Sequence, residues 1–382
     1  MNSQKDLFQL PDDIHYLNCG YMSPLLKSVE AAGIAGMQRK RIPSGILTED
    51  YFNDSVKLRQ LFGKLINCNP DQVTVIPSTS YGLQNALNNI PFDKGKFAVT
   101  LSDEFPSNFY SIEKWCRNNN KELKIIDSGK ASAGRAKNWN ENILDAINNE
   151  TSVVIISSLH WMDGTLFDLE AIGKRCREMN AFFMVDGTQS VGALPMDVTK
   201  FNIDVLVCAA YKWLLGPYSM GLAYYNDSFN NGIPLEESWL NRANANDFSR
   251  LTEYTNEYKP GAARYDVGEH SNFILTPMLI KSIEQISAWE VPAIQDYCGQ
   301  LVAPLIAFLK ENGVWVEDDV YRANHLFGFL LPPHINSSLL LNELQKRKIF
   351  ISVRGDSIRV SPHLYNNERD IQALIDTLQQ NI

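Results

Sequence analysis

Ala181-Phe-Phe-Met-Val-Asp-Gly-Thr-Gln-Ser-Val-Gly192 is the stretch on which the reading of the fold turns. An unbroken apolar run leads into an acid and a glycine, with no alternation of polar residues. A strand that shows water neither of its faces reads this way, and such strands belong to parallel sheets covered on both sides. Outward from it the same reading recurs at Ser152–Leu159 and Val205–Ala209, then at Leu123–Asp127, Phe97–Leu101 and Val73–Pro77. Helical patterns at Tyr81–Asn89, Ser107–Asn118, Asn140–Asn148 and Leu169–Asn180 separate most of them. This alternation predicts an α/β large domain, a mostly parallel sheet with helices on both faces. After Arg264 the rhythm changes. Helical stretches at Pro277–Trp289 and Val291–Glu311, short strands at His325–Leu331, Ile349–Val353 and Ile358–Val360, and a last helix at Glu368–Gln379 predict a smaller α+β C-terminal domain. The reading sets the large domain at residues 16–265 and the small one at 266–382, with segment 1–15 packed beside the latter.

The composition narrows the function. Among 382 residues, 35 Lys and Arg face 44 Asp and Glu, a net charge of −9. An acidic chain with no dense basic face is not expected to bind nucleic acid or an anionic membrane. No apolar run approaches the roughly 20 residues that span a bilayer, and MNSQKDLFQLPDD lacks the layout of a signal peptide, so a cytoplasmic location is expected. The six cysteines form no C-x-x-C pair and read as reduced thiols, with no metal site. There is no G-x-G-x-x-G after a strand and no G-x-x-x-x-G-K-[ST]. Gly187-Thr-Gln-Ser190-Val-Gly192 and Gly216-Pro-Tyr-Ser219-Met-Gly221 each carry one residue too many before the serine for the sharp G-x-S-x-G elbow.

In open α/β sheets ligands bind beyond the carboxyl ends of the strands, so the residues there carry the function. One apolar strand ends in Asp186, with Gln189 just beyond; another ends in Tyr211 and Lys212. Taken alone, the acid reads first as a turn residue, and the lysine as readily as a surface one. A lysine after so apolar a strand is open to desolvation, which would lower its pKa and make its amine nucleophilic. Ser78, Thr79 and Ser80 end a further strand at a helix start, an ordinary cap or an anion site. Phe105 follows the next strand in the same way. Together these strand ends supply a phosphate anchor, an aromatic plate, an acid and an amine, which is the set pyridoxal 5'-phosphate needs.

With these residues assembled, the chain resembles the fold-type-I pyridoxal-phosphate enzymes of the class V aminotransferase group, which includes cysteine desulfurases, kynureninases and isopenicillin N epimerase-like proteins. The resemblance runs from Tyr16-Leu-Asn-Cys-Gly-Tyr-Met-Ser-Pro24 to Ser357-Ile-Arg-Val-Ser-Pro-His-Leu-Tyr-Asn366, and is sharpest at residues 185–192 and 211–217. It implies that Lys212 is the Schiff-base lysine, Asp186 the partner of the pyridine nitrogen, and Gln189 the partner of the phenolic oxygen. It implies phosphate contacts from Ser78, Thr79, Ser80 and Tyr211, and ring stacking by Phe105. Arg359 matches an arginine that grips a substrate α-carboxylate, for which a planar guanidinium offers two parallel hydrogen bonds. Trp161, His160 and Asn108 are expected near the substrate. The group is usually dimeric, with active sites at the interface, so Gly268 and Glu269 are expected to serve a neighbouring subunit. The residues from Ile349 to Ile358 hold no cysteine, which disfavours desulfuration. The resemblance therefore implies an aminotransferase acting on an amino acid. A lyase or epimerase of the group stands as the alternative, and a non-catalytic cofactor-binding regulator as a second.

Overall fold

The structure, a computed structural model, describes residues 1–91, 93–332, 335, 337–354 and 357–381. The chain enters through a short strand β1 (His15–Tyr16) and two helices, α1 (Lys27–Arg39) and α2 (Asn53–Ile66). It then alternates: β2 (Val73–Ile76), α3 (Thr79–Leu87), β3 (Phe97–Leu101), α4 (Pro106–Asn118), β4 (Glu122–Ile126), α5 (Arg135–Ala146), β5 (Thr151–Ser157), α6 (Leu169–Met179) and β6 (Phe182–Asp186). β7 (Val205–Ala209) and β8 (Gly221–Tyr225) complete a seven-stranded sheet of order β2-β8-β7-β6-β5-β3-β4. The pairs from β4 to β7 are parallel, while β8 runs antiparallel to both β7 and β2.

The unbroken apolar strands are resolved by their pleat. In β5, Val154 and Ile156 point into one apolar cluster while Val153 and Ile155 point into another on the opposite face. Helices α2, α5 and α6 cover the first face through Phe62, Ile143 and Ile172. Helices α3 and α4 cover the second through Leu83, Ile112 and Trp115. Successive side chains of a strand point to opposite faces, so a strand apolar at every position requires a cover on each.

β8 is absent from the sequence reading. Gly-Leu-Ala-Tyr-Tyr has no helix before it and follows β7 through a short connection, so it returns antiparallel; a parallel return would need a crossover. The early helices α1 and α2 are likewise additions to that reading.

The remaining elements are α7 (Leu275–Trp289), α8 (Val291–Glu311), β9 (Trp315–Val316), β10 (Phe327–Leu330), α9 (Ser337–Lys346), β11 (Ile349–Phe350), β12 (Ser352–Arg354), β13 (Ser357–Val360) and α10 (Glu368–Gln379). A four-stranded antiparallel sheet, β12-β13-β10-β9, packs on α8, α9 and α10 around Leu305, Leu309, Phe329, Leu340, Val360 and Leu374. The apolar core does not divide at residue 265. Helix α7 packs on α1 and α2, with Leu279, Ile283 and Ile286 in the large cluster. Helix α8 spans the junction: Ile294 and Cys298 lie in the large cluster, Leu301 to Leu309 in the small one. One long amphipathic helix can serve two cores along its length, which a composition shift does not reveal. The N-terminal segment also sits at the junction. Gln4 donates its N–H to the Leu364 carbonyl, and Phe8 packs on Trp289 and Tyr365.

Candidate active site

The carboxyl ends of β3, β5, β6 and β7 and the N-terminus of α3 open onto one cavity of about 350 Å3. Ser78, Thr79, Ser80, Phe105, Ser157, Trp161, Asp186, Gln189, Tyr211 and Lys212 line it. Residues far apart in the chain meet here because parallel strands point their carboxyl ends the same way.

Ser78 caps α3, accepting the Tyr81 N–H at 3.3 Å, and its hydroxyl lies 3.0 Å from that of Ser80. The first N–H groups of a helix have no partner within it, so hydroxyls and amides there form an anion-binding end.

Asp186 ends β6 and is 4% exposed. Its carboxylate accepts the Thr188 N–H at 2.9 Å. Burial pushes its pKa up, opposed by the Thr188 bonds, by Lys212 and by Asn108. Lys212 follows β7 and is 6% exposed. Burial, then the nearby Arg359 charge, brings its amine down to about 8, with Asp186 opposing. Its Nζ lies 5.4 Å from the centre of the Phe105 ring and 5.6 Å from that of Tyr211. The structure thus brings acid, amine and aromatic plate around one space.

Gln189 is held between two partners. Its Nε2 donates to the Gly20 carbonyl at 3.1 Å and its Oε1 accepts the Trp213 indole N–H at 2.8 Å. An amide nitrogen carries two protons, so one donor of Gln189 remains for the cavity.

A second cavity, of about 370 Å3, adjoins the first. It is lined by Gly20, Tyr21, Met22, Phe105, Trp161, Tyr211, Lys212, Tyr218, Arg354 and Arg359. Arg359 sits on β13, 1% exposed, and one terminal nitrogen donates to the Trp161 carbonyl at 2.8 Å. Its Nε and Nη2 are buried and meet no partner among the described residues. Burial and then the Arg354 charge lower its pKa to about 9. A buried guanidinium with idle donors is costly unless an anion meets it. Trp161 faces both cavities, its indole donating to the Asp103 carbonyl at 2.7 Å and its ring edge-on to Phe105.

Several sequence-predicted residues fall elsewhere. His160 lines neither cavity. It is buried against Trp139, its Nδ1 3.1 Å from Asp163 and its Nε2 3.3 Å from the Asp103 carbonyl. The chain leaves the bridge at Leu159 and enters a turn at Trp161, which sends these two neighbouring side chains into different surroundings. Asn108 also lines neither cavity; it donates to Glu104 at 3.1 Å and lies close to the Asp186 carboxylate, behind the space it was expected to face. Gly268 and Glu269 line neither cavity either. The Gly268 N–H donates to Glu236 at 2.6 Å, and Glu269 faces another hollow with Tyr51, Trp239 and Phe273.

Sequence reasoning missed Glu104, whose buried carboxylate accepts N–H groups from Phe105 at 2.7 Å and Ser157 at 2.8 Å. It ties the ends of β3 and β5 and fixes the Phe105 backbone. It also missed Ser157, Thr188, Tyr218 and Arg354. Ser157 and Thr188 stand at strand ends, where the rule that found Asp186 applies equally. Tyr218 comes from a connection whose course no local pattern indicates, and Arg354 ends the short strand β12, whose partner is set only by pairing with β13. The donor set fits pyridoxal 5'-phosphate: an anion-binding helix start, a desolvated amine and a buried acid surround one cavity.

A fold with a mostly parallel sheet and this constellation defines a class of pyridoxal-phosphate enzymes of fold type I. The profile of the family Aminotransferase class-V matches residues 47–374, and the chain belongs to that family. Pyridoxal phosphate is its cofactor. An "uncharacterized aminotransferase YcbU" of Bacillus subtilis is 23% identical over 84% of this chain and 82% of its own length. A kynureninase of Geobacillus thermodenitrificans is 20% identical over 98% of this chain and 90% of its own. Among solved structures, the apo cysteine desulfurase of Thermococcus onnurineus NA1 superposes with a TM-score of 0.83 at 17% identity, covering 100% of this chain and 98% of that one.

Proposed function

We propose that this chain is an aminotransferase acting on an amino acid whose α-carboxylate is gripped by Arg359. One observation carries the reading: Lys212, Asp186 and a buried Arg359 with two unpaired donors surround adjoining cavities. Bound pyridoxal phosphate supplies an aldehyde for amines and a ring that withdraws electrons from the substrate α-carbon. The chain does the rest. Ser78, Thr79 and Ser80 hold the phosphate at the start of α3, helped by Tyr211. Phe105 packs against the ring, and Asp186 keeps a proton on the ring nitrogen while Gln189 donates to the phenolic oxygen. Arg359 fixes the substrate carboxylate so that the α-hydrogen faces Lys212. The Lys212 amine, brought down to about 8, would take that proton as a general base. Trp161 and Phe105 keep water from the reacting bonds.

In this reading Gly268 and Glu269, which line neither cavity, serve the phosphate site of a second copy. None of the six cysteines lines either cavity, which argues against sulfur transfer through a cysteine. A lyase or epimerase would use the same residues with a different site of protonation. The kynureninase likeness over 98% of the chain favours that second reading.

The experiment is single-turnover mixing of the holoenzyme with amino acids. Release of a keto acid matching the number of sites, with the amino group later passed to another keto acid, supports transfer. Alanine, sulfide or an inverted stereocentre in its place would overturn it. Lys212→Ala should abolish both the yellow protein-bound absorbance and the turnover.

A further inference from the structure

The second cavity holds more positive charge than one carboxylate can answer. Arg359 lines it from β13 and Arg354 from the neighbouring β12, with Lys212 at its base. Among the described residues no aspartate or glutamate lines it. Neither arginine has an ion-pair partner among the described residues, whereas Arg59, Arg135 and Arg322 are each paired with a carboxylate. Arg354 donates to the Val353 carbonyl at 2.8 Å and lies 5.9 Å from the centre of the Trp161 ring, which leaves most of its fork unused. Each of these charges makes the others costlier: Arg354 lowers the pKa of both Arg359 and Lys212.

The anions already assigned do not relieve this. The cofactor phosphate belongs at Ser78 to Ser80, which line the first cavity and not the second. A substrate α-carboxylate occupies Arg359. Arg354 then remains as a partly exposed cation over an aromatic wall of Tyr21, Trp161 and Tyr218. Like charges gathered in a cleft of low polarity raise the local concentration of an oppositely charged ligand.

Resting on the aminotransferase reading, we infer that the substrate is an α-amino acid with a second acidic group on its side chain, and that Arg354 binds that group while Arg359 binds the α-carboxylate. Arg354 is thus a specificity residue. The side-chain acid lies against the Trp161 ring with the Arg354 fork, and an amide of the same shape, which brings no charge, leaves the pair of guanidinium groups uncompensated.

The test compares the holoenzyme's kcat/KM for L-aspartate and L-glutamate with that for L-asparagine and L-glutamine. The acid of at least one pair should exceed its amide by about tenfold or more, the size of one charge-assisted hydrogen bond. In Arg354→Gln that ratio should fall toward one, chiefly through KM for the acid, and Arg354→Lys should restore part of it. The absorbance of bound cofactor checks that each variant is folded. Amides used as well as acids by the wild type, or an acid-to-amide ratio indifferent to Arg354→Gln, overturns the inference while leaving the aminotransferase reading intact. If no amino acid changes the bound cofactor, the aminotransferase reading itself fails, and this inference with it.

Discussion

Replacing Lys212 with methionine should make the cofactor-free protein more stable near neutral pH. The amine is 6% exposed, and burial followed by the Arg359 charge brings it from the ordinary 10.5 to about 8. In the unfolded chain the same amine keeps its proton up to about 10.5. Below about pH 8 both states carry the charge, and the native state holds it in a poorly solvating place. The fall from 10.5 to about 8 converts, at 1.36 kcal/mol per pH unit, to about 3 kcal/mol against folding. Between those two pH values the unfolded chain binds a proton that the native protein has lost, so wild-type stability climbs with pH. Above that window the penalty is gone. Methionine keeps an unbranched stem of similar length without the ammonium group. Urea unfolding of both cofactor-free proteins at a series of pH values reads the difference. The variant should lead by about 3 kcal/mol near pH 7, and the gap should close toward pH 10.5. Equal stability at pH 7, or a gap that widens with pH, would refute the desolvation of this amine.

Two further outcomes follow from the same geometry. The rate at which the cofactor-free protein takes up pyridoxal phosphate to form its yellow state should rise with pH and level above about 8, as Lys212 sheds its proton; a profile flat through that pH contradicts the lowered value. Arg135 binds Asp163 at 2.7 Å and Glu317 at 3.0 Å, all three buried, and so ties the loop that carries Trp161 to the end of β9. Arg135→Met leaves the buried Glu317 without its ion-pair partner, while Asp163 keeps His160, and should cost about 3–5 kcal/mol in urea unfolding; a loss under about 1 kcal/mol would show that water reaches the freed carboxylate.

The class of fold was legible because an unbroken apolar run, as in Phe182–Val185, belongs between two covered faces. The chemistry at the strand ends was legible for a related reason. An acid or a lysine directly after such a strand is carried to the edge of the sheet, and Asp186, Lys212, Phe105 and Ser78 to Ser80 meet there. Local pattern was silent where position depends on what packs from elsewhere. His160 and Trp161 are neighbours in sequence, yet one faces a buried aspartate and the other the cavity, because the backbone turns their side chains to opposite sides. Helix α7 reads like its successor α8, but only its packing on α1 and α2 assigns it to the large core. Arg354 looks like a loop cation until the pairing of β12 with β13 sets it beside Arg359. Sequence by itself determined the alternating strands and helices from β2 to β7 and which groups stand at the sheet's edge, since periodicity and strand ends are local properties of the chain. Tertiary structure alone decided which of those groups face one another, because distance and desolvation between segments far apart in the chain arise only when the chain folds.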